Sequence, residues 1–141
     1  NAFTLSGHAA SCAVGLQLLR AFEDESILKN VQLRSANLFD LLHEELMGCS
    51  ILDEVRGRGL MIGIALKSDK SIGAKIGSMC LYRGVYIGYY GNNNNVLRVH
   101  PHLNIDEETM RTAAMGVVDA IKAFAKNPQL DEEDVASFFT T

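Results

Sequence analysis

Apolar residues change their spacing near residue 50, and this change limits the folds that the chain can adopt. Residues 27–47 carry apolar side chains at helical intervals, and Ser26 and Gly48 fit the start and the stop of a helix. The predicted apolar stripe of this helix comprises Leu28, Val31, Leu38, Leu42 and Leu46. Residues 51–56 and 60–66 then predict strands, and the short link 57–59 between them indicates a hairpin.

The rest of the chain continues this mixture of helices and strands. Residues 71–83 predict a third helix that ends at Gly84, and residues 85–89 and 96–99 predict two more strands. Asp106 is a typical N-cap for a last helix that ends near Asn127. The predicted order is α, α, β, β, α, β, β, α. The predicted fold class is α+β, with a small antiparallel sheet and helices packed on one face.

A first helix is predicted over residues 8–22, with Ser6 or Gly7 as its cap. Its apolar residues leave only a narrow polar face, which predicts a helix buried on nearly every side, with Cys12 as a small buried residue. A chain of 141 residues has little with which to cover such a helix, and it starts at Asn1 rather than Met. We therefore expect a piece of a longer protein or a processed product.

Composition excludes several classes of function. Apolar residues make up 48% and charged residues 21%, as in a globular protein. The net charge of −4 comes from four acids in the tail 128–141, and the rest carries 13 acids and 13 bases. This charge balance predicts no basic surface of the kind that binds nucleic acid or membrane lipid. No apolar run approaches the ~18 residues of a membrane span. Three cysteines without a CxxC motif predict free thiols and a cytoplasmic protein.

Two anion sites can be read from the residues. Arg98 lies inside the apolar strand 96–99, where its charge must reach water or meet an anion, because an unpaired buried charge costs several kcal/mol. Thr4-Leu-Ser-Gly7, placed before a helix, offers hydroxyls and helix N–H groups to a phosphate, although ordinary N-capping explains the same residues.

Other candidates point to structure rather than chemistry. Gly57-Arg-Gly-Leu-Met-Ile-Gly63 departs from the GxGxxG pattern and precedes a strand, so we expect a tight turn and a close backbone contact at Gly63. His100 and His102 have no further ligand at metal-site spacing, so we expect loop histidines near a pocket and no metal site. The six lysines all read as surface residues.

Four segments occur in a recognisable order. They are Phe3-Thr-Leu-Ser-Gly-His8, Glu23-Asp-Glu-x-Ile-Leu28, Asp53-Glu-Val-Arg-Gly-Arg-Gly-Leu-Met61 and Asn95-Val-Leu-Arg-Val-x-Pro-x-Leu103. In type and spacing they resemble the C-terminal part of a class III pyridoxal-phosphate-dependent aminotransferase of fold type I. The resemblance covers about residues 3–124. It departs from the family pattern at Leu5, Ala9 and His102, which bears on the substrate subclass.

The resemblance implies a division of the chain and roles for two residues. Residues 1–25 would be the end of a large domain and an interdomain helix, 26–127 the C-terminal small domain, and 128–141 an acidic tail. Thr4 would bind the phosphate of pyridoxal 5'-phosphate across the interface of a homodimer. Arg98 would pair with the substrate carboxylate, as a planar guanidinium does well.

The implied parent enzyme transfers an amino group between an amino acid or ω-amine donor and a 2-oxo acid. The Schiff-base lysine of such enzymes would lie outside this chain, so we expect the chain alone to be inactive. An aminomutase or decarboxylase relative remains open. A non-catalytic amino-acid-binding sensor domain is a second alternative, because Arg98 would serve there as well. An inactive fragment is a third.

Overall fold

The structure, a computed structural model, describes Thr4, residues 6–68 and residues 70–129. The predicted acidic tail lies almost entirely outside the described residues. In chain order the elements are α1 (Ala9–Asp24), α2 (Ile27–Leu46), β1 (Leu52–Arg58), β2 (Met61–Leu66), α3 (Gly73–Tyr82), β3 (Gly88–Tyr90), β4 (Val96–Val99) and α4 (Glu107–Lys126). The predicted order of helices and strands is confirmed.

The four strands form one antiparallel sheet in the order β1-β2-β4-β3. β1 and β2 are the predicted hairpin, but β1 runs further than expected, because Gly57 and Arg58 still pair with Ile62 and Met61. The loop is therefore only two residues long, and Gly59 opens it with a φ of 57°. Glycine adopts this left-handed conformation without steric cost, which favours a tight hairpin turn at this position.

The two faces of the sheet differ because side chains alternate along each strand. Ile62, Ile64 and Leu97 are fully buried and belong to a core shared with α2, α3 and α4. Their neighbours Gly63 and Arg98 pair with each other and lie on the opposite face. The prediction of a small α+β fold with an antiparallel sheet and helices on one face is confirmed.

The helices contribute most of the core through amphipathic faces. From α2 the buried residues are Ile27, Leu38, Leu41, Leu42 and Leu46, and from α4 they are Met110, Ala114, Val117, Val118, Ala120, Ile121 and Phe124. Leu28 was wrongly placed on the apolar stripe of α2, because it is 62% exposed. The stop at Gly48 is supported by its φ of 78° and by a hydrogen bond from the Cys49 amide to the Leu46 carbonyl.

α1 differs from the other helices because none of its residues is buried. Among the described elements it contacts only α2, and Val14 and Leu19 are 70% and 65% exposed. α1 is therefore uncovered in this chain, in line with the expectation that 141 residues have little with which to cover such a helix, but the prediction of a buried Cys12 is wrong, because Cys12 is exposed. Spacing shows that a helix is apolar, but it does not show what covers that helix.

The predicted helix caps had mixed outcomes. Asp106 caps α4 as expected, accepting a hydrogen bond from the Thr109 amide at 2.8 Å. This bond holds the pKa of the Asp106 carboxyl below its ordinary value. His8, rather than Ser6 or Gly7, caps α1 through its ring nitrogen. Ser26 precedes α2 in a left-handed conformation and makes no capping bond with its side chain.

The asparagine run before β4 contains one buried residue, Asn95. Its amide NH2 donates to the carbonyls of Ser68 and Lys70 at 2.9 and 3.0 Å, and its side-chain oxygen accepts from the Ile72 amide at 2.8 Å. Asn95 therefore joins the start of β4 to the segment that leads into α3. No partner for this run could be predicted from the sequence.

β3 begins three residues later than predicted, because residues 85–87 do not pair in the sheet and Val85 instead packs against α4. A Cβ atom at Gly116 of α4 would lie 3.0 Å from Cγ2 of Val85, so the glycine allows this close approach. The two strands pair only as far as Gly88 and Arg98, and the chain segments beyond this pair diverge.

No helix among the described residues is long and apolar enough to cross a membrane.

Candidate functional site

Arg98 lies on β4, in the middle of the sheet, between Gly63 of β2 and Gly88 of β3. The core faces the other way, so the Arg98 side chain is exposed rather than buried in the apolar strand. The strand register thus lets the Arg98 charge reach solvent, while Leu97 of the same strand is fully buried on the other face. The two cross-strand neighbours of Arg98 are therefore both glycines.

Tyr90 holds the Arg98 side chain in place. Arg98 Nη2 donates a hydrogen bond to the Tyr90 hydroxyl at 2.9 Å, and the guanidinium carbon lies 4.2 Å from the centre of the Tyr90 ring. A cation–π contact at an exposed site contributes about 0.5–1 kcal/mol. The ring also lies over Gly88, where an added Cβ would come within 2.8 Å of Tyr90 Cε2. Gly88, Tyr90 and Arg98 therefore form one layered unit.

A cavity of about 340 Å³ lies beside this unit, in the fork where the segments beyond Gly88 and Arg98 diverge. Its apolar walls come from α2, α4 and the two diverging segments. The lining residues are Leu38, Val85, Tyr86, Ile87, Gly88, Tyr90, Arg98, Val99, His100, Pro101, Ile105, Met110, Ala113, Ala114 and Val117. The volume falls in the range of roughly 300–1,000 Å³ typical of small-molecule pockets.

The described residues provide no acidic partner for Arg98. The ion pairs among them join Arg34 to Glu107, Arg56 to Glu54 and Lys122 to Glu45. Most N–H donors of the Arg98 guanidinium are therefore not used within the described part of the chain. A guanidinium held on an aromatic ring beside an apolar cavity can bind a carboxylate by donating two parallel hydrogen bonds to it.

Thr4 is exposed and lies four residues before the cap of α1. The capping His8 ring nitrogen accepts a long, 3.4 Å bond from the Ser11 amide, and it lies 3.0 Å from the Ser11 hydroxyl. The N-cap of α1 is therefore His8, which lies outside the segment 4–7 that the N-capping alternative was meant to explain. An exposed hydroxyl before a helix N-terminus also fits the chemistry of a phosphate ligand.

The other candidates have structural positions. His100 lines the cavity as a loop histidine, whereas exposed His102 contacts the side chain of Asn104. In the described ranges, no three His, Cys, Asp or Glu side chains are grouped so that they could hold a metal ion. Cys80 is buried, and its burial raises the pKa of its thiol to about 12, which makes it a poor nucleophile.

Sequence reasoning found Arg98 but missed Tyr90, Gly88 and the cavity. Tyr90 is eight residues from Arg98, and the two meet only because β3 pairs with β4. A tyrosine two residues after a glycine in a short strand is a weak signal, and it gains meaning only once the partner strand is known.

Comparison with known proteins identifies the family. The family model of class-III aminotransferases matches residues 1–121. The chain belongs to this family. Among curated class-III relatives, acetylornithine aminotransferase 1 of Bordetella bronchiseptica is 33% identical over 126 residues. A probable mitochondrial gamma-aminobutyrate transaminase 3 of Oryza sativa subsp. indica is 30% identical over 131 residues. These matches cover 89% and 86% of this chain.

Solved structures of aminotransferases share the fold. N-acetylornithine aminotransferase from Stenotrophomonas maltophilia is 31% identical with a TM-score of 0.71, over 81% of this chain and 31% of that one. Ornithine aminotransferase from Toxoplasma gondii, whose active site holds pyridoxal phosphate at partial occupancy, is 25% identical with a TM-score of 0.76. The match covers 84% of this chain and 28% of that one.

This class-III aminotransferase chain spans about a quarter to a third of the length of its relatives: 25% of the rice transaminase and 31% of the Bordetella enzyme.

Proposed function

We propose that this chain serves as the small domain of a pyridoxal-phosphate-dependent enzyme that moves an amino group between an amino acid or ω-amine donor and a 2-oxo acid. Arg98 binds the substrate carboxylate and Thr4 binds the cofactor phosphate from across a homodimer interface. The family match supports the reaction class. The position of Arg98, layered on Tyr90 and without an acidic partner among the described residues, is the observation that carries the substrate role.

The described residues fit the cofactor phosphate at one point only, the exposed hydroxyl-bearing Thr4 before α1. When bound, pyridoxal phosphate supplies the electron sink for amino-group transfer. The contributions proposed for this chain are a hydroxyl for the phosphate and a cation that orients the substrate acid. The lysine that bonds to the cofactor is proposed to lie outside these residues, and the chain on its own is proposed to be inactive.

The division into domains is proposed from the packing. Residues 26–127 enclose the core, whereas the α1 side chains stand exposed beside α2 alone. This contrast supports residues 1–25 as the end of a large domain and an interdomain helix that other parts of the enzyme cover. We also propose a cytoplasmic location, because three cysteines without a CxxC motif predict free thiols. The rice relative is named mitochondrial.

The test uses the longest open reading frame that contains this chain, assayed with a panel of amino acids and ω-amines against 2-oxo acids. Arg98→Gln is expected to lower kcat/KM by about 10- to 100-fold, because a hydrogen bond to a charged group contributes roughly 1.5–3 kcal/mol. Arg58→Gln is the matched control, since Arg58 is an exposed arginine of the neighbouring hairpin.

Two results would contradict the proposal. Equal kcat/KM values for Arg98→Gln and Arg58→Gln would remove Arg98 from substrate binding. A stable, lysine-dependent absorbance band after pyridoxal phosphate is added to the 141-residue chain would show that the chain itself holds the cofactor covalently. Binding of amino acids without turnover by the longer protein would favour the sensor-domain alternative.

A further inference from the structure

The cavity in the fork between β3 and β4 combines one cation with an apolar interior. Arg98 and Tyr90 line it together with buried residues of two helices, Leu38 of α2 and Met110 and Val117 of α4. The residue that is proposed to meet the substrate acid therefore lines a space suited to a hydrocarbon chain.

We propose that this cavity receives the aliphatic part of a carboxylic acid whose carboxylate is held by Arg98. The ligand class is thus a straight-chain or otherwise apolar acid, rather than one with a second charged group at its far end. The proposal rests on the carboxylate role of Arg98 proposed above and extends it to the side-chain preference of the site.

Three features of the site support this ligand class. The pairing of β3 with β4 stops at Gly88 and Arg98, so the fork opens at the residue that carries the guanidinium. The walls facing the fork are aliphatic, and Leu38, Ile105 and Met110 are each less than 5% exposed. His100 and Arg98 are the ionisable lining residues with a cationic form, and no lining residue is acidic, so a carboxylate is the favoured polar end.

The expected difference in affinity follows from the length of the ligand's hydrocarbon chain. Each buried methylene is worth about 0.8 kcal/mol, or roughly fourfold in affinity. Two buried methylenes are then enough for octanoate to bind the 141-residue chain about tenfold more tightly than propionate. Octylamine has the same hydrocarbon tail with the opposite charge, and it should bind more weakly than octanoate.

Methionine methyl NMR of the 141-residue chain locates the ligand without any substitution. Met110 lines the cavity, whereas Met47 and Met61 lie outside it and are 83% and 55% exposed. Octanoate is expected to shift the Met110 methyl resonance in a saturable way and to leave the other two unchanged. Equal shifts at Met47, Met61 and Met110 would indicate non-specific association and overturn the proposal.

Substitutions then test the contributions of the cavity and of the guanidinium to binding separately. Ala113→Leu fills the cavity from a partly exposed position on α4, and Ala13→Leu makes the same change on the exposed face of α1. Ala113→Leu should abolish the tenfold preference for octanoate while propionate binding persists, and Ala13→Leu should retain the preference. Arg98→Gln should weaken both acids.

The outcomes distinguish the two proposals. Propionate binding that depends on Arg98, without any preference for the longer acid, would overturn the cavity proposal and leave the carboxylate role of Arg98 intact. Octanoate binding at Met110 that is unchanged in Arg98→Gln would overturn the joint use of the cation and the cavity, and would count against the proposed function as well.

Discussion

Replacing Asn95 with alanine is expected to destabilise the protein by about 2–3 kcal/mol. Asn95 is 8% exposed and makes three hydrogen bonds, to the Ile72 amide and to the carbonyls of Ser68 and Lys70. Each such bond contributes about 1 kcal/mol net, and a buried group left without a partner costs somewhat more. Ser68 and Lys70 are partly or fully exposed, so water can replace some of the loss at their carbonyls.

The assay is urea unfolding of the 141-residue chain, followed by circular dichroism. With a slope of roughly 1–3 kcal/mol per M, the unfolding midpoint of Asn95→Ala should fall by about 0.7–3 M. Asn93→Ala is the matched control from the same asparagine run. Asn93 is exposed, and substitutions at such surface positions usually change stability by less than about 0.5 kcal/mol.

Asn95→Asp provides a second test of the reasoning. The carboxylate can still accept from the Ile72 amide, but it has no N–H to donate to the carbonyls of Ser68 and Lys70. We expect this variant to be destabilised at neutral pH as well. If Asn95→Ala and Asn93→Ala unfolded at the same urea concentration, the described hydrogen bonds would not join β4 to the segment before α3.

Two further predictions concern titratable groups. The hydrogen bond that caps α4 lowers the pKa of Asp106 from its ordinary value of 3.8, so its stabilising contribution is present above that pH and is lost as pH falls through the lowered value. The free-energy difference between wild type and Asp106→Asn should therefore hold steady at neutral pH and change below about pH 4 in urea titrations. A difference that is independent of pH down to pH 2 would contradict the capping role. Iodoacetamide should label exposed Cys12 rapidly and buried Cys80, whose thiol pKa is raised to about 12, only at the rate of unfolding. Equal labelling rates in mass spectra of the native protein would show that the core is open at Cys80.

The local features of the fold were predictable because their causes lie within a few residues. The Asp106 carboxylate caps α4 through an amide three residues away, and the strand Val96–Val99 was predicted with its observed bounds. The late start of β3 was not predictable, because it depends on what packs beside Val85. Ser26 shows that a local pattern can also mislead. This residue is of a typical capping type, yet it adopts a left-handed conformation and makes no capping bond with its side chain.

The sequence by itself determined the order of the elements, the α+β class and the presence of an arginine that had to reach water or an anion. Hydrophobic spacing and capping residues act over one or two turns of chain, so these features can be read without coordinates. Only the tertiary structure decided that Tyr90 would hold Arg98, that Asn95 would be the buried asparagine of four, and that Arg98 would line a cavity. Each of these depends on contacts between residues far apart in the chain, and strand register and helix packing, rather than local preference, bring those residues together.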